Sequence, residues 1–440
     1  MNSGDSPLGG LFDLKVLGTE MYDLIVRLYP ICRSITGNGL RETLRIVGEH
    51  IPLTIHEVPT GTAVFDWTIP KEWNIRGAHI RRASGETVVD FRDSNLHVVN
   101  YSAPIRQRMS LADLRPHLFT LPDHPDWIPY RTTYYKEDWG FCISHAQLRK
   151  LQGGEYDVSI DTSLQDGHLS YGELLVAGQS DKEVLISTHA CHPSMCNDNL
   201  SGVVLATFLA AHLAGQPLRY SYRFLFLPGT IGAITWLCLN EARASAITHG
   251  LVLACVGDAG RFTYKRSRRG NAEIDRAVHH VLRSSGADYA ILDFSPDGYD
   301  ERQYCSPGFD LPVGSLSHTP HGRFAEYHTS ADDLSFVRPE HLADSLATTL
   351  AIVTLLEGNR TYLNTNPKGE PRLGTRGLYR SQGGRVDRAP DELALLWVLN
   401  LSDGGHSLLD IAERSALPFD VVKQAADALT ASGLLQELGG

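Results

Sequence analysis

One stretch of the sequence decides the fold: Thr188-His189-Ala190-Cys191-His192-Pro193-Ser194-Met195-Cys196-Asn197-Asp198-Asn199-Leu200-Ser201-Gly202. Residues 183–187 before it form a short apolar run typical of a buried strand. Residues 203–214 after it are apolar almost all round, which predicts a buried helix. Imidazoles, thiols and a carboxylate therefore crowd a strand-to-helix turn, where α/β proteins usually bind ligands. A simpler interpretation also stands, in which His192 caps a turn and Asp198 caps the helix.

Strands and helices alternate after this stretch. Strands are predicted at 220–227, 250–256, 289–294 and 311–316, and helices at 232–239, 272–282 and 339–356. The alternation predicts an α/β fold with helices on both faces of the sheet. Asp198, Asp258 and, less clearly, the segment around His328 fall just past predicted strand ends, which favours a shared site at one edge of the sheet.

Composition restricts the classes of function. The chain has 440 residues, which predicts two or three domains, and its net charge of −11 argues against nucleic acid or an anionic membrane as a partner. It contains no apolar run of the roughly 18 residues that a membrane span needs, and the first thirty residues lack a signal-peptide pattern. Seven scattered cysteines are typical of reduced thiols in a cytoplasmic protein.

Two further modules are predicted beside the α/β core. The core comprises 11–55 plus 175–360, and residues 56–174, rich in short β-prone segments, form an inserted β-rich domain. Residues 361–440 carry three short amphipathic helices and a strand-like end, the pattern of a winged helix. The third of these helices offers Lys423 against two aspartates, so packing or homo-oligomer formation is favoured over DNA binding.

The polar residues of the strand ends suit a metal-dependent hydrolase. Such a site needs imidazole and carboxylate ligands and a base that takes a proton from water. The candidates are His189, His192, Asp198, Asp258 and His328, with Glu301 and Glu326 among the further carboxylates. This donor set favours zinc over manganese or iron. A thiolate site with Cys191 and Cys196 is disfavoured, because no second pair with zinc-finger spacing exists.

A basic run follows Asp258 in an otherwise acidic protein. It contains Tyr264, Lys265, Arg266 and Arg268, and arginine forks suit a carboxylate or phosphate of a substrate. Arg302 is a second candidate for binding an anion. The alternative is a solvated loop with internal ion pairs, which remains open.

The sequence resembles a family of aminopeptidase-like proteins that combine a zinc-exopeptidase core, an inserted β-rich domain and a C-terminal winged helix. The resemblance covers nearly the whole chain and is carried by Cys191-His192-Pro193-Ser194, Asn197-Asp198-Asn199-Leu200-Ser201-Gly202, Gly257-Asp258-Ala259-Gly260, Tyr264-Lys265-Arg266-Ser267-Arg268, Asp300-Glu301-Arg302-Gln303-Tyr304-Cys305-Ser306-Pro307-Gly308 and Glu326-Tyr327-His328-Thr329-Ser330. More distantly, it is similar to co-catalytic zinc aminopeptidases.

That resemblance implies a fold and a ligand set. The fold is a zinc-exopeptidase-like mixed sheet with helices on both faces. His192 or His189, Asp198 and His328 would hold the metal, with Asp258 a further candidate, and Asp198 would bridge two metals in dinuclear relatives. Tyr327 joins the expected substrate-binding residues.

The sequence departs from this family at its expected general base. Zinc aminopeptidases place a Glu-Glu pair after the strand that matches 224–227, whereas this chain reads Pro228-Gly229-Thr230. Gly229 cannot take a proton, and Thr230 cannot supply a ligand carboxylate, so one zinc ion is preferred although two are allowed. Three explanations stay open: Glu301 or Glu326 substitutes, the protein binds without catalysis, or an inactivating change was introduced.

The sequence thus predicts a cytoplasmic zinc-dependent hydrolase of an amide or peptide-like bond in a small anionic substrate. The rival hypothesis is a non-catalytic zinc- or ligand-binding protein of a polysaccharide or natural-product pathway.

Overall fold

The computed structural model describes residues 13–378 and 390–438. The predicted domain bounds at 11 and 440 lie outside these ranges. Two compact units are present: one runs to Asp275 and resumes over Asp288–Ala347, and the other comprises Arg276–Ala287 and the chain from Thr348 onward. Within the described ranges, no helix has both the length and the apolar character needed to cross a bilayer.

An eight-stranded mixed sheet forms the centre of the first unit, in the order β1-β10-β12-β11-β13-β16-β14-β15. The bounds of its strands are β1 Thr54–Pro59, β10 His168–Val176, β11 Glu183–His189, β12 Ser221–Leu227, β13 Ile247–Leu253, β14 Phe262–Lys265, β15 Tyr289–Leu292 and β16 Val313–Ser317. Strands β12, β11, β13 and β16 are parallel to one another. Every residue of β11 and β12 is buried, as expected for parallel strands with both faces covered.

The helices of the chain confirm the predicted alternation of strands and helices. Their bounds are α1 Leu14–Leu28, α2 Asn38–Val47, α3 Leu111–Leu114, α4 His145–Lys150, α5 Ser201–Leu213, α6 Ile231–Leu239, α7 Glu241–Ala244, α8 Glu273–Ser284, α9 Glu301–Tyr304, α10 Pro339–Gly358, α11 Pro390–Leu401, α12 Leu408–Ser415 and α13 Phe419–Ala431. Helix α5 is apolar on all sides because nearly all of its residues are buried.

A separate four-stranded antiparallel sheet lies within the predicted insert, in the order β5-β4-β9-β6. Its strands are β4 Glu72–Arg82, β5 Thr87–Asp90, β6 Ile105–Ser110 and β9 Glu155–Gln165. The insert also contains two short strand pairs, β2 Ala63–Val64 with β3 Trp67–Thr68 and β7 Leu118–Phe119 with β8 Phe141–Cys142. The predicted insert, 56–174, also takes in most of β1 and β10, which the structure pairs within the large sheet.

The second unit contains a three-stranded sheet and three helices. Strands β17 Thr361–Asn364, β18 Asp403–Ser407 and β19 Leu435–Glu437 pair in the order β18-β17-β19. Helices α11, α12 and α13 bury Leu395, Leu408 and Val422. Helix α12 begins at a capping box, in which Ser407 and Asp410 satisfy each other's backbone amides.

Candidate metal centre

Asp198 lies at the centre of a cluster of three histidines. Its carboxylate is 0 % exposed. Oδ1 is 2.8 Å from Nε2 of His189, and Oδ2 is 3.0 Å from Nε2 of His328 and 3.3 Å from Nδ1 of His192. The ligand atoms of His189, His192 and Asp198 all lie within 4.8 Å of one another. The structure therefore brings together residues that are distant in sequence, such as Asp198 and His328, which are 130 positions apart.

The charges in this cluster depend on one another. Burial alone would raise the pKa of Asp198, but His192 and the hydrogen bonds from the histidines hold it well below its usual value. Burial likewise opposes the charge of His192, yet Asp198 raises the pKa of that imidazole well above its usual value. Burial lowers the pKa of His328. A buried carboxylate surrounded by imidazole nitrogens is the donor set that zinc prefers, so these residues fit a zinc ion.

The side chain that accepts a backbone amide at the start of helix α5 is that of Asn199, not that of Asp198. Oδ1 of Asn199 accepts hydrogen bonds from the backbone amides of Gly202 and Cys255, each at 3.2 Å, and its Nδ2 donates to Oγ1 of Thr188 at 2.8 Å. The simpler interpretation, in which Asp198 only caps the helix, is therefore wrong. Asn199 satisfies the helix terminus, which leaves the neighbouring carboxylate free to face the histidines.

A second layer of carboxylates holds the loop around Asp198. Asp332 accepts hydrogen bonds from the backbone amides of Asn197 at 2.6 Å and Asp198 at 2.9 Å, and burial raises its pKa to about 7. Asp258, predicted as a further ligand, belongs to the same layer. Its carboxylate accepts from Asn197 Nδ2 at 2.8 Å and from the hydroxyl of Thr319 at 2.7 Å. The structure does not bring Asp258 to the histidine cluster, because these donors and the amide of Gly260 hold it behind Asn197.

Position 229 faces the cluster. The Gly229 amide donates to Sγ of Cys191 at 3.3 Å, and a Cβ atom added at Gly229 would lie 3.7 Å from Cβ of His189. The next residue, Thr230, has a φ of 64° and donates its amide to Oδ1 of Asp300 at 2.6 Å. Asp300 is buried and Oδ2 has no hydrogen-bond partner among the described residues. Burial raises the pKa of Asp300.

The two carboxylates predicted as substitute bases lie outside the cluster around Asp198. Glu301 is 1 % exposed and forms an ion pair with Lys265. The main-chain oxygen of Glu326 belongs to the turn that contains His328, where it accepts from the hydroxyl of Thr329 at 2.7 Å. Neither belongs to the group formed by His189, His192 and Asp198, and among the described residues neither contacts Asp198 as His328 does.

The predicted anion clamp is largely neutralised within the protein. Arg266 pairs with Asp293 at 3.1 Å and Arg268 with Asp310 at 2.8 Å, while Lys265 pairs with Glu301. The Tyr264 hydroxyl is buried and donates to Asp275 at 2.8 Å. Arg302 donates to the hydroxyl of Thr230 at 3.3 Å, which places it beside position 229. The alternative of a loop with internal ion pairs therefore describes this basic run better than a substrate clamp does.

Several residues of the site carry no recognisable sequence signal. The Tyr299 hydroxyl donates to Oδ1 of Asp198 at 3.0 Å, and its ring stacks on His189 at 4.6 Å. Arg33 is 0 % exposed and donates from Nε to the main-chain oxygen of His192 at 2.8 Å. Burial lowers the pKa of Arg33 to about 10.

The backbone around the cluster is locally strained. His328, Thr230 and Cys255 all have positive φ angles, at 55°, 64° and 54°. For residues other than glycine this conformation costs on the order of 1–3 kcal/mol each, and such residues concentrate at functional sites. The Tyr327 ring stacks on the His328 imidazole at 3.9 Å. The strain therefore supports a functional interpretation of this part of the molecule.

Two family models match the chain. Residues 22–359 match a domain of unknown function, DUF4910, and residues 360–437 match a winged helix-turn-helix domain. A Clostridium acetobutylicum protein named for polysaccharide biosynthesis and an aminopeptidase-like domain is 54 % identical over 419 residues, which cover 95 % of this chain and 96 % of that protein.

Solved structures agree in fold. A C. acetobutylicum protein described as a peptidase has a TM-score of 0.93 and 52 % identity, over 97 % of this chain and 98 % of that one. A zinc aminopeptidase from Bacillus subtilis has a TM-score of 0.56 and 14 % identity, over 76 % and 94 %. A peptidase M28 precursor from Shewanella amazonensis has a TM-score of 0.55 and 15 % identity, over 78 % and 96 %. The predicted zinc-exopeptidase-like fold and the C-terminal winged helix are thereby confirmed.

Proposed function

The chain belongs to the DUF4910 family, and from this premise we propose that it is a zinc-dependent hydrolase of an amide or peptide-like bond. The observation that carries the proposal is the convergence of His189, His192 and His328 on the buried carboxylate of Asp198. Structural caps alone do not account for it, because Asn199 already caps helix α5. Three imidazoles around one carboxylate match a catalytic zinc site with an open position.

The residues of the centre have distinct proposed roles. Asp198 and two or three of the histidines would hold the ion, which would polarise a substrate carbonyl and acidify water. Tyr299 and Arg33 position the ligands, the first through Asp198 and the second through the main chain of His192. We prefer one ion, because Thr230 offers no carboxylate and Asp258 is held by four protein hydrogen bonds.

Proton transfer is the incomplete part of this centre. Gly229 occupies the position at which the resemblance expects the general base, and losing such a base costs roughly 100- to 10,000-fold in rate. Glu301 is a poor substitute, because Lys265 holds one of its oxygens. We therefore propose that this chain, with glycine at position 229, hydrolyses its amide substrate slowly. The same glycine favours the second candidate, a ligand-binding protein without hydrolytic activity, and the polysaccharide context in the relative's name is compatible with that candidate.

A metal and hydrolysis experiment tests the proposal. Purified protein loaded with zinc is analysed for metal content and incubated with aminoacyl-p-nitroanilides and N-acyl amino acids. We expect about one zinc per chain and slow hydrolysis of one substrate class, both lost in Asp198→Asn. Zinc binding without hydrolysis at any zinc level supports the binding protein instead, and absence of zinc from the folded protein refutes the zinc-dependent hydrolase.

The location and partners of the protein are part of the same proposal. All seven cysteines are free thiols, which is typical of a reducing cytoplasmic compartment. In helix α13, Lys423 pairs with Asp427 at 2.7 Å, which supports the prediction that the winged helix does not bind nucleic acid. A homo-oligomer formed through the insert or the winged helix stays a prediction, as does a small anionic substrate.

A further inference from the structure

A cavity of about 640 Å³ lies within the predicted insert. Of the twelve described residues that line it, five carry a ring: His117, Phe119, Tyr134, Tyr135 and Trp139. A cavity of this size suits a small-molecule ligand. None of the candidate metal ligands is among these twelve residues, so the cavity is distinct from the candidate metal centre.

Tyr135 offers the most accessible ring of this cavity. The Trp139 ring stacks on His117 at 3.7 Å, and the guanidinium of Arg131 lies over the Phe119 ring at 5.7 Å, so both rings are covered in part by protein. Tyr135, in contrast, is 53 % exposed. A ligand in the cavity can therefore pack against Tyr135 without displacing a protein contact.

Tyr135 also belongs to a group of exposed aromatic side chains. Among the residues that the structure describes, the exposed aromatic ones are Phe65, Trp67 and Tyr135, and all three belong to the insert. The Trp67 ring meets the Tyr135 ring edge-on at 5.1 Å. Single exposed apolar side chains are normal on a protein surface, whereas a group of them indicates a binding surface.

Polar side chains line the same cavity. Lys136 and Asp138 form an ion pair at 2.7 Å, so the pair adds hydrogen-bonding groups but no net charge. Thr132 is exposed and adds a hydroxyl. A wholly apolar ligand would remove these groups from water without offering partners, which costs free energy. The lining therefore favours a ligand that has both an apolar face and many hydroxyl groups.

We propose that this cavity binds a saccharide, with a pyranose ring packed against Tyr135. A pyranose has an apolar face of C–H groups, which packs on an aromatic ring, and hydroxyls around its edge, which can bond to Lys136, Asp138 and Thr132. A flat aromatic ligand would use the rings of the cavity but not its polar groups. The inference is independent of the proposed function, because the residues that it uses belong to the insert and none is a candidate metal ligand.

Disaccharide binding to the full chain tests the inference. The probes are cellobiose, N,N′-diacetylchitobiose and lactose, with p-cresol as an apolar ring for comparison, each titrated by saturation-transfer NMR. At least one disaccharide should bind with a Kd below about 10 mM, with or without EDTA. Tyr135→Ala should weaken this binding at least about fivefold because the aromatic face is lost. Tyr135→Phe should retain the binding because the ring remains.

A matched control separates the ring of Tyr135 from other exposed apolar side chains. Leu239, at the end of helix α6, is 51 % exposed, so Leu239→Ala should leave the binding unchanged. The inference is overturned if no disaccharide binds, whether or not p-cresol does, or if disaccharide binding survives in Tyr135→Ala. Binding that EDTA abolishes also overturns it, because the site would then depend on the metal. The zinc and amide assays test the proposed function separately.

Discussion

The proposed function predicts that replacing Gly229 with glutamate raises the rate of amide hydrolysis. The proposed centre has candidate ligands and a glycine where the resemblance expects a base, and a Cβ atom at position 229 would lie beside His189. The substitution adds a carboxylate and leaves the three histidines and Asp198 unchanged. Its effect should therefore fall on the chemical step and not on zinc binding.

The structure leaves room for the first atom of the added side chain. The atoms nearest to a Cβ at 229 are Cβ of His189 at 3.7 Å, Sγ of Cys191 at 3.8 Å and Cγ of His189 at 4.0 Å, which are ordinary van der Waals distances. Gly229 is not among the residues with positive φ, so a side chain adds no backbone strain. A general base contributes about 100- to 10,000-fold in rate, or about 2.7–5.4 kcal/mol of activation free energy.

The assay compares three proteins at equal zinc content. The wild type, Gly229→Glu and Gly229→Gln are tested against the best substrate of the amide panel. The glutamate variant should gain at least about 100-fold in kcat, whereas the glutamine variant, which has nearly the same shape but cannot take a proton, should gain nothing. Equal rates for the two variants, or no gain with glutamate while zinc stays bound, would refute the assignment of position 229.

Three further perturbations probe the site and its supports. Asp198→Asn should lower the affinity for zinc, measured by equilibrium dialysis, by more than about 100-fold, because mutating even a residue that only hydrogen-bonds to a metal ligand lowers metal affinity 10- to 100-fold. The control Asp293→Asn, on the exposed surface, should leave the affinity for zinc unchanged. Arg33→Met should lower the free energy of unfolding in urea by about 2–4 kcal/mol, because it leaves buried carbonyls without donors; an unchanged midpoint would contradict this role. Hydrogen bonds from Arg41 are the chief reason that the pKa of Glu72 is lowered to about 2. The ionised carboxylate therefore stabilises the fold above about pH 4.5, and this stabilisation is lost as the pH falls toward 2. Glu72→Gln should therefore cost about 1 kcal/mol in urea unfolding at pH 7 and clearly less at pH 3, and a cost independent of pH would argue against the ion pair.

Much of the core could be predicted because burial leaves a direct mark on sequence. Strand β12 was predicted at 220–227 and lies at Ser221–Leu227, and helix α6 was predicted at 232–239 and lies at Ile231–Leu239. Both elements are apolar almost throughout because both are covered on all sides. The edges of the insert were harder to predict. Strands β1 and β10 are only partly buried, so their burial leaves a weak mark on the sequence. They belong to the large sheet because they pair with strands distant in the chain, and sequence spacing does not encode such pairing.

The basic run at 264–268 shows how sequence and structure differ for charged groups. Its composition suggested an anion clamp, but the acidic partners Asp293, Glu301 and Asp310 lie 27 to 42 positions away along the chain. Whether a cation is free to bind a ligand depends on which carboxylates the fold brings beside it.

The sequence by itself determined the class of fold and the chemistry available to it: an α/β core with imidazoles and a carboxylate at a strand-to-helix turn, and a glycine where a base is expected. Only the tertiary structure decided which of these groups meet. Asp198 gathers His189, His192 and His328, whereas Asp258 turns to Asn197 and Thr319. The physical reason is that strand and helix periodicity is local, while coordination and charge pairing depend on distances between side chains far apart in the chain.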